Sequence, residues 1–401
     1  MPTFAYVARN RGGKKQSGTL SAETKAQATQ VLQRRGLTVQ EVKVQTVRRD
    51  AVSPRTKVKS TDLLVFTRQL STIVSAGLPL LQGLDILSEQ TEDVRFGNVI
   101  RALGTEVEAG ETFSEALRRF PRIFQDLFIS MVRAGEAGGD LDGVLLQLAD
   151  YIEKTEDLKR RIKSAMMYPV IAFSMIVLIA TGLIVFVVPQ FGEIFGSFGA
   201  ELPMPTQILI DISAVLRSWR AFVVVAVVVA AVFAIRMWGR TKNGRFSLDA
   251  AKLRLPVFGK LLRKVAVSRF TRTLSTLTRS GVPILQALEI VERTAGNEVF
   301  ARAISEAGNS VRNGESLADP LERSGQFPGM VTRMIGVGEK TGALETMLLK
   351  ISDFYDSEVE AAVDGLTSMI EPILIMMMGI IVGGIVVALF MPILQLSSLV
   401  Q

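Results

Sequence analysis

Phe66-Thr67-Arg68-Gln69-Leu70-Ser71-Thr72 returns as Phe270-Thr271-Arg272-Thr273-Leu274-Ser275-Thr276, an offset of 204 residues (270 − 66). The echo continues in Gly77-Leu78-Pro79 and Gly281-Val282-Pro283, in Leu81-Gln82 and Leu285-Gln286, and in Gly110-Glu111 and Gly314-Glu315. After one deleted residue the offset becomes 203 (338 − 135), and Gly135-Glu136-x-x-Gly139-x-Leu141 matches Gly338-Glu339-x-x-Gly342-x-Leu344. Pro169 and Pro189 recur as Pro372 and Pro392. One unit is therefore used twice, and a repeat on this scale decides the architecture. Each copy is a polar helical region running into an apolar stretch, so the copied unit includes a membrane span.

Mean hydropathy of +0.32 and 48% hydrophobic residues coexist with 21% charged residues because the apolar residues are concentrated. Residues 170–188, 221–235 and 373–400 carry no charge, and about 20 apolar residues cross a bilayer as a helix. Three spans are expected. Trp219 and Trp238 bracket the short middle one, where indole rings favour the two interfaces. Lys159, Arg160, Arg161 and Lys163 precede the first span, and Arg236 and Arg240, with Lys242 and Arg245, follow the second. The stretch between them holds Glu193, Glu201 and Asp211 against Arg217 and Arg220. Basic residues near span ends mark the cytoplasmic side. The N-terminus and both bundles are thus expected in the cytoplasm and the C-terminus outside. Residues 1–30 contain no apolar run of the kind a signal peptide needs.

The expected layout is an N-terminal ββαβ module over 1–43, a basic linker over 44–60 and a first helical bundle over 61–168. The first span covers 169–189, a short periplasmic loop 190–217, the second span 218–237 and a cytoplasmic connector 238–264. A second bundle over 265–370, a third span over 371–394 and a tail over 395–401 complete the chain. The fold class is an all-α membrane protein with about six helices in each repeated bundle. In the N-terminal module, strands are read at Thr3 to Arg9, Lys15 to Leu20 and Val39 to Val42, with a helix from Ala26 to Arg35 capped by Ser21 and stopped by Gly36. Ser60 is read as the N-cap of the first bundle helix, with Asp62 in its first turn. The glycines of Gly77-x-Pro79 and Gly281-x-Pro283 are read as tight helix–helix corners.

Candidate chemistry is sparse. Histidine and cysteine are both absent, which excludes Ser-His-Asp triads, Cys-His pairs, disulfides and the usual zinc sites. No catalytic, cofactor-binding or metal-ligating residue is assigned. Gly336-Val337-Gly338-Glu339-Lys340-Thr341-Gly342 resembles a phosphate loop, but Glu339 intrudes before the lysine and no strand precedes it. Glycines closing one helix before the next account for it. Glu136 and Glu339 are expected to cap neighbouring N–H groups or to meet an arginine such as Arg133 or Arg333. The net charge of +7 raises a nucleic-acid reading, which fails for want of a basic-aromatic groove or a reading helix. Residues 1–169 carry 25 basic and 20 acidic residues, residues 236–370 carry 19 and 15, and much of the excess sits at the membrane edge, where it meets anionic lipid. In the third span, Gly379-x-x-x-Gly383-Gly384 is spaced for close helix packing, with another span or another copy. A secondary transporter is a second class to weigh, but three spans without ionisable residues in their cores lack the broken helices and midplane charges of that class.

The repeated Phe-x-Arg with its Gly-x-Pro, the Gly-Glu-x-x-Gly-x-Leu turn and three spans in this order resemble the type II secretion F-domain family, the inner-membrane platform proteins of type II secretion systems and type IV pili. The ending Gly383-Gly384-Ile385-Val386-Val387-Ala388-Leu389-Phe390-Met391-Pro392 looks more like the pilus branch than the secretion branch. The resemblance implies a non-enzymatic, multi-pass bacterial inner-membrane protein that forms homo-oligomers. It also implies that the protein couples a cytoplasmic hexameric ATPase to insertion or extraction of pilin or pseudopilin helices, alongside other inner-membrane pilus components.

Overall fold

The computed structural model describes residues 3–9, 15–21, 27, 29, 31, 38–44, 56–197, 203–256 and 258–399. The chain divides into two compact units, Met1–Gln125 and Asp126–Gln401.

In the first unit, β1 (Thr3–Arg9), β2 (Lys15–Ser21) and β3 (Thr38–Val44) form a sheet of order β2-β1-β3, antiparallel throughout. Phe4 pairs with Leu20 on one side and Val44 on the other, and the β1–β3 register shifts between Val7 and Ala8. The helix expected at Ala26 to Arg35, with its cap and stop, lies outside the described residues except at Gln27, Thr29 and Val31.

Four helices follow: α1 (Ser60–Ser75), α2 (Leu80–Gln90), α3 (Val94–Glu108) and α4 (Phe113–Arg118). Ser60 is the first helical residue and not the cap. The cap is Lys59, whose carbonyl accepts from Asp62 and Leu63 N–H at 3.1 Å, with Asp62 in the first turn as expected. Phe66 and Leu70 of α1 are buried with Leu84, Leu87, Phe96, Val99, Ile100, Leu103 and Leu117. This is one apolar stripe per helix, at the spacing the sequence shows.

The second unit starts with α5 (Asp126–Gly138) and the long α6 (Leu141–Gly182). Asp140 caps α6 by accepting from Gly143 N–H at 3.2 Å. A π-helical turn at Leu183–Val187 joins α6 to α7 (Val188–Ser197). Then come α8 (Met204–Arg217), α9 (Arg220–Trp238), α10 (Lys242–Arg254), α11 (Phe258–Arg279), α12 (Ile284–Thr294), α13 (Glu298–Arg312), α14 (Ala318–Arg323), α15 (Gly329–Thr341) and α16 (Leu344–Leu399). Three helical stretches are long and apolar enough to cross a membrane: Leu141–Ile194, Arg220–Trp238 and Leu344–Met391. No residue of α9 is buried, so this run of Val, Ala and Phe is left uncovered by the described residues of the chain, as a span facing an apolar surrounding would be.

Two features depart from the expected layout. First, the division at Gln125 falls inside the stretch assigned to one bundle, 61–168. Helices α5 and α6 belong to the second unit, because α6 runs beside second-copy helices. Tyr151 Oη lies 3.2 Å from Thr273 Oγ1, Ser280 donates to Gln147 at 2.9 Å, and Lys154 meets Asp353 at 3.4 Å. Second, the stretch expected as a loop, 190–217, holds α7 and α8. Leu209 and Ile210 of α8 pack on Ala180, Val188, Ile385 and Leu389, and Thr206 Oγ1 donates to the Ala388 carbonyl. The apolar periodicity of Ile208 to Leu216 outweighs the low charge that reads as a linker. The stretch expected as a connector, 238–264, is largely helical, as α10 and the start of α11.

Candidate functional site

The repeated motif residues are the packing and capping elements of the helices. Gly77 and Gly281 have φ of 82° and 78°. Each ends a helix with paired backbone bonds: Leu78 N–H to Ile73 O at 3.2 Å and Gly77 N–H to Val74 O at 2.9 Å, then Val282 to Leu277 at 3.0 Å and Gly281 to Thr278 at 3.1 Å. This closure needs a left-handed residue. Pro79 and Pro283 then cap the next helices, their carbonyls accepting from Gly83 at 3.0 Å and Ala287 at 2.9 Å. A Cβ on either glycine would meet nothing within 4 Å. The residue type is set by backbone conformation, not by the tight corner expected from the sequence.

Gly135 and Gly338 are the close-approach glycines. A Cβ at Gly338 would stand 2.8 Å from Leu344 Cα and 3.1 Å from Met347 Cγ; at Gly135 it would stand 3.1 Å from the Asp140 carbonyl and Val144 Cβ. In both copies the absent side chain lets the following long helix press against its predecessor. Gly139 and Gly342, at φ 73° and 70°, make the turn between them. The phosphate-loop lookalike is thus helix α15 and its terminal glycine. Glu339 is a cap: one oxygen accepts from Leu317 N–H at 2.8 Å and the other from Ser316 Oγ at 2.6 Å, serving the N-terminus of α14. Glu136 occupies the equivalent position in α5.

Phe66 and Phe270 are buried members of aromatic triplets, with Phe66 central in the first and Phe327 in the second. Phe66 meets Phe96 edge-on at 5.4 Å and lies 6.2 Å from Phe124. Phe327 lies 4.9 Å from Phe270 and 5.2 Å from Phe300. The partner phenylalanines were not singled out from the sequence, yet they repeat at the same offsets, 204 (300 − 96) and 203 (327 − 124).

Arg68 is half-buried on α1, whereas Arg272 is 8% exposed and joins α11 to α16. Its guanidinium pairs with Asp356, which also accepts from Ser268 Oγ at 2.7 Å. Burial pulls the Arg272 guanidinium below its ordinary range, opposed by its electrostatic interactions with Tyr151 and Asp353. Lys264 meets Glu358 at 2.6 Å. Along these pairs α11 positions rise as α16 positions fall, so α11 is antiparallel to α16. By contrast, Lys154 with Asp353 and Arg161 with Glu360 rise together, so α6 and α16 are parallel.

The seam between α6 and α16 buries Val359 and Val363, with Leu261 of α11, against Leu158, Ile162 and Ala165. A cleft of about 480 Å³ opens along it, lined in part by Arg161, Ser164, Glu360 and Asp364. Of the basic residues assigned to the membrane edge, Lys159 pairs with Glu156 at 2.7 Å, Arg160 with Asp157 and Arg161 with Glu360. Lys163, Arg236 and Arg240 form no ion pair among the described residues. Around Gly379, Gly383 and Gly384 an added Cβ would meet nothing within 4 Å. Among the described residues no other span packs closely there, and the glycine face of α16 is open.

One family model, described as "Type II secretion system (T2SS), protein F", matches residues 66–189 and again 270–392. A second, "Type II secretion system protein F, N-terminal domain", matches residues 1–43. The two matches of the first fall on the two copies read from the sequence. Among relatives, the chain is 45% identical over 344 residues to the type IV pilus assembly protein PilC of Myxococcus xanthus, covering 86% of this chain and 82% of that protein. It is 43% identical over 403 residues to PilC of Thermus thermophilus, covering 99% and 98%. The type II secretion system protein F of Pseudomonas aeruginosa is 34% identical over 405 residues, covering all of both. A doubled helical unit with three candidate spans and two successive matches to one family model leads to one assignment: the chain belongs to the type II secretion system protein F family.

Proposed function

We propose that this chain is an inner-membrane platform protein of a type IV pilus assembly machine, coupling a cytoplasmic assembly or retraction ATPase to insertion or extraction of pilin helices. The observation that carries the reading is the gradient of identity: 45% and 43% to pilus assembly proteins against 34% to a secretion protein F. The type II secretion platform is the second reading, supported by 34% identity over the full length of a secretion protein F. Deleting the gene is expected to abolish surface pili and leave secreted enzymes unaffected. Pili retained with secretion lost would exchange the two readings.

The geometry supports a force-bearing role without chemistry of its own. Helix α16 runs unbroken for 56 residues, about 84 Å at 1.5 Å per residue, from the second-copy helices into an apolar span. A displacement at its N-terminal end reaches the span without crossing a loop. The parallel course of α6 and α16 supports spans one and three crossing in the same sense, with α9 returning the chain. With the basic residues beside the spans, this favours a cytoplasmic N-terminus and bundles and a periplasmic C-terminus. The chain lacks cysteine, so Ser398→Cys would be the sole thiol. It should react with an impermeant maleimide from the periplasmic side; protection there together with labelling from the cytoplasm would reverse the topology. We read residues 1–43 as a ββαβ module that, with the basic linker 44–60 and the bundles, faces the ATPase. The open glycine face of α16 favours self-association or a pilin helix.

A further inference from the structure

A cavity of about 510 Å³ lies just past the end of α9, lined by Gly239, Arg240, Arg245, Leu248, Asp249, Lys252 and Gly296. Its charge is unbalanced. Asp249 is engaged twice, accepting from Lys252 Nζ at 2.8 Å and from Glu298 N–H at 3.0 Å. Arg245 reaches Glu298 only at 3.9 Å, and that carboxylate also lies 3.9 Å from Arg302. Arg240 has no ion pair among the described residues. Behind Gly296 stands Arg269 of α11, half-buried and likewise without an ion-pair or side-chain hydrogen-bond partner among the described residues. Gly296 has φ 74°, and a Cβ there would overlap the Arg269 guanidinium. The glycine therefore gives room for a cation that no described residue neutralises. A half-buried guanidinium without an acceptor is costly unless an anion completes it.

The position identifies the anion. Arg240 follows the last residue of the α9 span, Trp238, by two positions, so the cavity mouth sits at headgroup depth. We infer that this cavity binds the phosphodiester headgroup of an anionic phospholipid, with Arg240 and Arg245 of its lining as ligands and Arg269 adding positive charge from behind Gly296. This goes beyond the diffuse lipid attraction of an edge-lying basic stretch, because Gly296 lines the cavity from a distant part of the sequence and only the fold sets the Arg269 guanidinium behind it. The first copy has no such site: 204 residues earlier, Arg269 is Val65 and Gly296 is Glu92. The inference rests on α9 spanning the bilayer and is independent of the choice between pilus and secretion machines.

The test uses the full chain in nanodiscs of phosphatidylcholine, with and without phosphatidylglycerol, counting lipid retained after detergent extraction by native mass spectrometry. Wild type should retain phosphatidylglycerol in preference to phosphatidylcholine. The double variant R240Q/R269Q should lose that retention by about 25-fold, roughly fivefold per cation at a membrane surface, while R240K/R269K keeps most of it. Equal retention of both lipids by the wild type, a comparison that needs no variant to fold, would overturn the inference. So would undiminished phosphatidylglycerol retention by R240Q/R269Q. Inorganic phosphate stabilising lipid-free wild type as well as phosphatidylglycerol does would make this a soluble-anion site and defeat the lipid assignment.

Discussion

Gly338→Ala adds one methyl group where the structure has no space for it. The new Cβ would stand 2.8 Å from Leu344 Cα and 3.1–3.2 Å from Met347 Cγ and Cβ. The first obstacle is backbone, the opening turn of α16, and cannot rotate away. Restoring carbon–carbon separations of about 3.5–4.0 Å requires α16 to retreat from α15 by roughly 0.7–1.2 Å. Overpacking of this kind costs about 1–3 kcal/mol, and a backbone obstacle belongs at the upper end. Replacing a helical glycine by alanine returns about 1 kcal/mol, leaving a net loss of about 1–2 kcal/mol. Gly308→Ala is the matched control. Gly308 also lies inside a helix, α13, but its Cβ would meet only Leu288 Cβ at an ordinary 3.8 Å, so alanine should stabilise by up to about 1 kcal/mol. Thermal unfolding of the detergent-solubilised chain, followed by tryptophan-independent far-ultraviolet dichroism, reads both. The two variants should move in opposite directions. If Gly338→Ala stabilises as Gly308→Ala does, the close approach of α15 and α16 is not what holds the motif glycine, and the account of Gly135 fails with it.

Gly281→Ala meets no atom but must hold φ 78°, so it should lose about 1–2 kcal/mol, with Gly281→Asn milder; equal losses for the two would refute a conformational cause. Asp356→Asn removes the charge facing the buried Arg272 and should destabilise by about 2–3 kcal/mol, less than a fully enclosed pair because the aspartate is partly exposed. The double change Arg272→Met with Asp356→Leu should recover most of that loss in a denaturation series. Glu339→Ala leaves the Leu317 N–H without its acceptor and should lose about 1 kcal/mol, with Glu339→Gln intermediate; no change in either would remove the cap role.

Legibility in the sequence followed the range of the interaction. The closure at Gly77 and its twin depends on a few consecutive residues, so glycine and the following proline announce it. The helices carrying Phe66 and Phe270 show their buried face in a local period. The aromatic triplets were equally present, since Phe96 and Phe300 obey the repeat, but only the fold shows that they meet. Helix α8 is hidden in the sequence because its sparse charge resembles a linker and its apolar period spans only a few turns. The attachment of α6 to second-copy helices rests on Tyr151 with Thr273 and Lys154 with Asp353, pairings across more than a hundred residues that leave no local pattern. Gly296 looked like any loop glycine, because its meaning depends on a guanidinium from another helix.

The two long helices pack out of step with the repeat that produced them. Sequence equivalence relates α6 to α16 by 203 residues (372 − 169). The ion pairs relate them by 199, as in 353 − 154 and 360 − 161. The difference is four residues, about one helical turn and 6 Å of rise. A slip of one turn returns nearly the same face of a helix, so each copy keeps an apolar seam while its prolines fall out of level. Extending the same offset sets Pro169 beside Ser368, not Pro372. The ion pairs survive the slip because the copies agree where it matters: 203 residues before Asp353 and Glu360 stand Asp150 and Asp157, acids in both copies.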